Sequence, residues 1–243
     1  MIQRDRLLKN LYAYLDVQSA PEANGLQVEC GENISKIVFG VSANKALFEA
    51  AKKAGADAVI THHGLIWDKP QKITGVFGAR VKFLIKNNIN LISYHLPLDK
   101  HPVVGNNACL ARLLGVDKKE PFGLYHGMAI GFKGKLKKAK KIEDIYKLLG
   151  GECLAFGPKT VKSAAFVSGG AHDMTEQAAE QGVDLYICGS RDEYIREYCR
   201  EAKINFIAMG HYNSEKFGVQ ALMEYVRKSF NVSVCFIDIP NSF

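Results

Sequence analysis

An internal repeat constrains the fold of this chain more than any other feature of its sequence. The segment "KIVFGVSANKALFEAAKKAGADAVITHH" (36–63) is matched in order and spacing by "SAAFVSGGAHDMTEQAAEQGVDLYICGS" (163–190). In both segments a strand ends in Val-Ser, a helix follows, and a Gly-x-Asp triplet opens the next strand. Unrelated βαβ units share such a pattern by chance, but the shared polar landmarks favour a duplication.

The repeat continues into a second pair of segments. "INLISYHLPLD" in the first half tracks "INFIAMGHYNSE" in the second, with one residue inserted. Each half then places a carboxylate four residues after a histidine: His95 and Asp99 in the first, His211 and Glu215 in the second. The duplication therefore extends to side chains that can carry chemistry.

Short apolar runs alternate with helical segments along the chain, as in "KIVFGVS", "NKALFEAAKKAG" and "ADAVITH". Such alternation predicts an α/β fold with much parallel sheet. We expect two similar, internally duplicated α/β domains, over 1–120 and 121–243, with the Gly- and Pro-containing stretch 116–135 as the join. Because open α/β sheets bind ligands at the carboxyl ends of their strands, we expect a site in the cleft between the domains.

Histidines and carboxylates follow several predicted strands. His62 and His63 come after "AVIT", and adjacent residues within a regular strand point to opposite faces. Both rings can face one cleft only if the strand ends there and the chain turns at Gly64. Imidazole with carboxylate suits Zn, Fe, Mn, Co or Ni, and two such ions about 3.5–4 Å apart form hydrolytic sites. The alternative is a hydrogen-bonded pair of structural histidines.

The two carboxylates have non-metal interpretations as well. Asp99 follows Pro97 and is also typical of a turn. Glu215 is also typical of a helix start, with Asn213 or Ser214 as the N-cap and the carboxylate at the positive end of the helix dipole. The recurrence of histidine at three strand ends, twice with a carboxylate four residues later, favours the metal interpretation.

Composition limits where the protein works and what it binds. No apolar run approaches the ~20 residues of a membrane span, and the N-terminus lacks the apolar core of a signal peptide. The six cysteines include no CxxC pair, which indicates reduced, buried thiols and a cytoplasmic protein. The formal net charge of +7 comes partly from "KGKLKKAKK" (133–141). A solvated turn leading into a helix is favoured there over a phosphate or nucleic-acid patch, because no aromatic residues interleave with the lysines.

Several motifs together resemble the Nif-three-like dinuclear metal-centre family, whose members are often labelled GTP cyclohydrolase I type 2 homologues. They are "ADAVITHHGLIW", "SYHLPLDKHPVVGNNACLARLLG" and "GHYNSEKFGVQAL", with "NGLQV" near the N-terminus and "VSVCFIDIPNSF" at the end. The resemblance spans nearly the whole chain. It implies two similar α/β domains with a two-metal site between them, assembled into a homohexamer that is a trimer of dimers.

The resemblance also implies a ligand set for two divalent metal ions per subunit. Carried over by motif, the ligands are His62, His63, Asp99, His211 and Glu215. His95 lies beside the metals in this scheme without a firm ligand role; if the site is that of a hydrolase, His95 is the catalytic residue that shuttles a proton. The chain departs from common family patterns at "APEANGLQV", where many members have Asp before Asn, and at Ser190, where many have Glu. If the family's glutamate contacts substrate, Ser190 puts the identity of the substrate in doubt.

The sequence favours a metal-dependent hydrolase whose dinuclear site activates water against a nucleotide-like, cyclic amide or phosphoester substrate. The family label implies GTP, but nothing in the sequence selects guanine, and there is no Walker-type loop. "VSGGAHD" (167–173) fits either a tight turn or a phosphate cradle, with the turn favoured. Two alternatives remain: a non-catalytic, metal-stabilised ring that binds protein or nucleic acid, and a metal-handling protein.

Overall fold

The computed structural model describes residues 1–20 and 22–241, and these form two compact units. Unit 1 is Met1–Val104 together with Val219–Ile239. Unit 2 is Gly105–Gly218 with the described residues after Ile239. The units therefore divide the chain at other points than the predicted boundary between 120 and 121, and unit 1 is discontinuous in sequence.

The described residues contain thirteen strands and nine helices. The strands are β1 Ile2–Gln3, β2 Gly25–Val28, β3 Asn33–Ile34, β4 Lys36–Ser42, β5 Ala58–His63, β6 Asn90–Ser93, β7 Glu120–Tyr125, β8 Met128–Lys141, β9 Glu152–Ala155, β10 Thr160–Phe166, β11 Leu185–Cys188, β12 Asn205–Ala208 and β13 Ser233–Phe236. The helices are α1 Arg4–Tyr14, α2 Lys45–Lys53, α3 Gly75–Lys86, α4 Leu96–Lys100, α5 Asn106–Leu114, α6 Ile142–Leu149, α7 Thr175–Glu180, α8 Ile195–Ala202 and α9 His211–Ser229. The predicted α/β class is confirmed.

Unit 1 is built on a five-stranded sheet of order β13-β4-β5-β6-β2. The first four strands are parallel, and β2 runs antiparallel to β6 at the edge. Phe39 and Ile60 pack into one apolar core, while Val38 and Val59 pack into another. Because alternate residues of a strand point to opposite faces, the sheet is covered on both sides, as continuous apolar runs in parallel strands predict.

Unit 2 is built on a six-stranded sheet of order β7-β8-β10-β11-β12-β9. Its central strands β10, β11 and β12 are parallel, and the outer pairings are antiparallel. Two predictions in this region are wrong. Most of the supposed join 116–135 is the β7–β8 hairpin, and the lysine-rich segment is the second half of strand β8, which leads directly into α6. Strand wins over turn because this segment pairs with β10, with Leu136 buried between exposed lysines.

The Gly-x-Asp landmark of the repeat has the same structural role in both units. In unit 1, Asp57 Oδ2 accepts the backbone N–H groups of Ser35 and Lys36 at 2.7 and 2.9 Å. In unit 2, Asp184 Oδ2 accepts those of Lys162 and Ser163 at 2.7 and 3.0 Å. Each aspartate thus binds backbone at or beside the neighbouring parallel strand, β4 or β10.

The other landmarks of the repeat also coincide. Gly55 and Gly182 both adopt φ of +67°, in the left-handed region that glycine favours. Asn90 donates its backbone N–H to the carbonyl of Asp57 at 3.0 Å, and Asn205 does the same to Asp184 at 3.1 Å. Equivalent hydrogen bonds at equivalent positions support the predicted duplication.

The cysteine thiols lie in buried or half-buried positions. None of the six cysteines, all among the described residues, is in a disulfide; Cys188 and Cys199 are buried and the other four half-buried. Burial raises the pKa of Cys188 to about 12 and that of Cys199 to about 11, so both thiols stay protonated at neutral pH. No helix among the described residues combines the length and apolarity needed to cross a bilayer.

We predict that Asp57→Ala and Asp184→Ala each lower the free energy of unfolding by about 1.5–3 kcal/mol, because each leaves two backbone donors without their carboxylate acceptor. Native-state hydrogen exchange of the amides in β4 and β10 measures the loss in the unit concerned. Glu201→Ala, which removes an exposed carboxylate, serves as the control and should change little. Unchanged exchange in both aspartate variants would contradict the shared role.

Candidate metal centre

The two adjacent histidines of the HHG motif lie at the carboxyl end of β5. Although neighbours on a strand normally diverge, the ring centroids of His62 and His63 are only 4.7 Å apart. His63 is the last residue of the strand and still pairs with Ser42 on β4. The strand end therefore brings both imidazoles together, as the sequence predicts.

The buried side chain of His62 has its tautomer fixed by the backbone. His62 Nδ1 lies 3.0 Å from the carbonyl oxygen of Tyr94, which can only accept a hydrogen bond. The proton of the neutral ring is therefore on Nδ1, and in that form Nε2 carries the lone pair. That nitrogen lies 3.5 Å from Oδ2 of Asp99, whose side chain is also buried. A lone-pair nitrogen facing a buried carboxylate is a donor set that suits a divalent cation.

His63 and His95 complete a cluster of three imidazoles in unit 1. One ring nitrogen from each of His62, His63 and His95 lies within 4.8 Å of the others, a spacing at which a metal ion can be held. The hydroxyl of Ser42 is 3.0 Å from His63 Nδ1. Trp67 packs edge-on against His95, with 5.1 Å between ring centroids. The cluster thus combines imidazole donors with an aromatic wall.

Gln27 holds the loop that follows the HHG motif. Its Oε1 accepts the backbone N–H groups of Leu65 and Ile66 at 2.7 and 3.0 Å, and its Nε2 donates to the carbonyls of Ala23 and Ile66. A Cβ on Gly64 would lie 2.3 Å from Gln27 Oε1. A side chain at position 64 would therefore displace the Gln27 amide from these hydrogen bonds, whereas the sequence suggests only that Gly64 serves to turn the chain.

The motif "HLPLDKH" separates into residues with different roles. Asp99 lies in the short helix α4, not in a turn, and is buried. His101 uses both ring nitrogens structurally: Nε2 donates to the carbonyl of Tyr14 at 3.0 Å, and Nδ1 accepts the N–H groups of Val103 and Val104. Asp68, the carboxylate that follows the HHG motif in sequence, is exposed.

In unit 2, His211 and Glu215 form a pair on α9. The helix begins at His211, so neither Asn213 nor Ser214 is its N-cap, and the two side chains lie one turn apart on one face. His211 Nε2 is 3.2 Å from Glu215 Oε1. The histidine side chain is 41% exposed and the glutamate side chain 3%, so the carboxylate is buried while the imidazole is accessible to solvent.

The Gly-Gly pair of "VSGGAHD" makes room for this carboxylate. Gly169 has φ of +75°, and a Cβ there would lie 2.5 Å from Glu215 Oε1 and 3.3 Å from His211 Nε2. Its N–H donates to Oγ of Ser214, which in turn donates to the carbonyl of His211. The Gly-Gly pair thus lies at a bend of the chain, as the sequence favours. The absence of a side chain on Gly169 also lets the backbone approach Glu215 closely, and the residue spacing gives no signal for that contact.

A second polar pair in unit 2 consists of His172 and Ser190, which the sequence does not predict to lie together. Ser190 Oγ lies 3.3 Å from Nδ1 of His172. A Cβ on Gly170 would lie 3.7 Å from Ser190 Oγ and 3.5 Å from His211 Cε1, so both side chains border Gly170. The only signal for it was the departure from the family pattern at Ser190.

Duplicated α/β units that carry histidine and carboxylate sets at their strand ends define a recognisable class of protein. The chain belongs to the Duf34/NIF3 (NGG1p interacting factor 3) family, whose model matches residues 3–242. This confirms the family to which the sequence motifs pointed.

Individual relatives match over almost their whole length. A protein of Archaeoglobus fulgidus named "GTP cyclohydrolase 1 type 2 homolog" is 42% identical over 95% of this chain and 93% of its own. Among solved structures, the protein ybgI, described as of unknown function, is 36% identical with a TM-score of 0.92. The Thermus thermophilus protein TTHA1606 is 32% identical with a TM-score of 0.91. Both alignments cover 100% of each chain.

We predict that Gly169→Ala destabilises unit 2 more than Gly182→Ala, because the added methyl group displaces the buried Glu215 carboxylate. Both glycines have positive φ, but a Cβ on Gly182 meets no atom within 4 Å among the described residues. Gly182→Ala should cost roughly 1–2 kcal/mol for its backbone conformation. Gly169→Ala should cost about 1–3 kcal/mol more for overpacking. Urea unfolding of the two variants gives the difference, and equal losses would contradict the close-approach role.

Proposed function

We propose that this chain is a metal-dependent hydrolase with a dinuclear metal centre. The ligands proposed are those of the motifs: His62, His63 and Asp99 from unit 1, with His211 and Glu215 from unit 2. The proposed substrate is nucleotide-like, a cyclic amide or a phosphoester. Family membership supports the proposal, and relatives over 90% of this chain carry the name "GTP cyclohydrolase 1 type 2 homolog".

The observation that carries the proposal is the arrangement around His62. Its Nδ1–H is committed to the Tyr94 carbonyl, so its Nε2 lone pair faces the Asp99 carboxylate at 3.5 Å in a buried setting. A backbone carbonyl behind a ligating imidazole is the usual way in which proteins fix such ligands. The His211–Glu215 pair supplies the same two donor types from unit 2.

The metal ions and the side chains of the site are proposed to have different chemical roles. When bound, two divalent ions would supply Lewis acidity, which polarises a substrate oxygen and lowers the pKa of water. His95, half-buried next to His62 and His63, is proposed to accept and return a proton at a ring nitrogen. Trp67, 39% exposed and edge-on to His95, offers an apolar surface for a substrate ring.

We expect the purified native chain to hold two metal equivalents and to hydrolyse at least one member of a substrate screen. The screen covers nucleotides, phosphoesters and cyclic amides, with and without chelator, and metal content is measured by mass spectrometry. His63→Ala and Glu215→Ala should each lose metal and lower hydrolysis by roughly a hundredfold or more, because each removes a proposed ligand.

The matched control is His126→Ala, which removes an exposed histidine at the tip of the β7–β8 hairpin. It should retain both metal ions and full activity. Hydrolysis that survives in both ligand variants would come from a contaminant, and the hydrolase proposal would then lose its site. Two bound ions without turnover anywhere in the screen would favour the scaffold or metal-handling alternatives.

We further propose that the chain works in the cytoplasm as a homohexamer arranged as a trimer of dimers. The hexamer follows from the family resemblance, and a reducing compartment accords with six free thiols. Light scattering coupled to size exclusion should give about six times the 26.9 kDa mass of one chain. A stable monomer or dimer over the micromolar range would overturn the assembly.

A further inference from the structure

Glu22, in the loop before β2, forms hydrogen bonds with the His95 ring and with the backbone of Leu96. Its Oε1 is 2.9 Å from His95 Nδ1, and its Oε2 accepts the backbone N–H of Leu96 at 3.2 Å. Two residues later, Oδ1 of Asn24 accepts the backbone N–H of His95 at 2.8 Å. One short loop thus fixes both the ring and the backbone of a histidine more than seventy positions further along the chain.

The chemistry of this contact determines where the proton sits. Burial by itself raises the pKa of Glu22, but the hydrogen bond from His95, the charge of His95 when its ring is protonated, and the hydrogen bond from the Leu96 N–H outweigh it and lower the pKa overall. Glu22 is therefore ionised at neutral pH. A carboxylate only accepts hydrogen bonds, so Nδ1 of His95 must be the donor. The neutral ring then carries its lone pair on Nε2.

The ring held in this way belongs to the imidazole cluster of unit 1. The centroid of His95 is 4.9 Å from that of His62 and 5.5 Å from that of His63. On its other side Trp67 packs edge-on against it. The glutamate side chain is only 15% exposed, so water competes little for the hydrogen bond.

We propose that Glu22 is the positioning residue of the site: it holds His95 in the Nδ1–H tautomer and in one ring orientation, so that Nε2 is the nitrogen that accepts a proton. The catalytic consequence of this role rests on the proposed hydrolase function, whereas the tautomer does not. A carboxylate behind an imidazole is the arrangement that orients histidines in many metal and hydrolase sites.

The test of the tautomer uses metal-free protein with ¹⁵N-labelled histidine. Long-range ¹H–¹⁵N spectra at neutral pH should show His95 as the Nδ1–H form in the native chain. In Glu22→Gln the amide N–H₂ can donate to Nδ1, so the Nε2–H form should become populated. Glu22→Asp keeps the carboxylate and should restore the Nδ1–H form at least in part.

Two controls separate positioning from misfolding. His62 is an internal standard, because its Nδ1–H bond goes to a backbone carbonyl and should persist in every variant. Glu32→Gln, which neutralises an exposed carboxylate of the same N-terminal region, should leave the His95 signals unchanged. A native His95 in the Nε2–H form, or an unchanged tautomer in Glu22→Gln, would overturn the proposal.

Turnover tests the catalytic consequence separately. With the substrate found by the screen, Glu22→Gln should lower kcat by roughly 10–100-fold with unchanged metal content, and Glu22→Asp should recover part of the loss. A tautomer change without loss of kcat would overturn the catalytic role of Glu22 while leaving the hydrolase proposal intact. If the native chain hydrolyses nothing, the proposed function fails, and the spectra alone decide whether Glu22 sets the tautomer.

Discussion

The parallel pairing of β4, β5 and β6 is the constraint on which the unit 1 site depends. It ends three strands at one edge of the sheet, where Ser42 pairs with His63 and Thr61 pairs with Ser93. The residue after β6, Tyr94, then offers the carbonyl that fixes His62. Because side chains alternate along a strand, a slip of one residue in this register would turn His62 away from Asp99. The register of the sheet therefore determines where the candidate metal-binding side chains lie.

The two units use one scaffold for different arrangements of the same donor types. In both, a histidine follows the last central parallel strand, and a carboxylate follows it by four residues. In unit 1 that carboxylate, Asp99, faces the strand histidine His62, and His95 is held instead by Glu22. In unit 2 the long helix begins at His211, so Glu215 faces the histidine of its own helix. Duplication has preserved the positions while their partners have diverged.

Much of the fold and of the donor set follows from the sequence, for physical reasons. Continuous apolar runs such as β4 identify buried parallel strands, and Gly-x-Asp marks a turn whose backbone needs are the same in both halves. The histidines are apparent because they interrupt apolar patterns at strand ends. The local composition of the lysine-rich half of β8 favours a solvated turn. The segment is a strand because pairing with β10, a long-range contact, outweighs local composition.

What the sequence could not show is contact between distant segments. Glu22 and Gln27 act on residues far along the chain, and no local spacing connects them to His95 or Gly64. The same holds for Gly169, whose lack of a side chain matters only because Glu215 lies against it. Close approaches of this kind depend on the tertiary fold, so a single sequence gives no periodic signal for them.

The discontinuity of unit 1 also has a consequence for the synthesis of the protein on the ribosome. β4 is an apolar central strand, and one of its two partners, β13, is separated from it in sequence by residues 105–218 of unit 2. At about 5–20 residues per second, residues 105–218 of unit 2 are synthesised before β13 appears, and β4 has an open edge for on the order of ten seconds or more. An open apolar edge is a site for wrong pairing. The nascent chain therefore has its greatest need of chaperone protection before β13 emerges and pairs with β4.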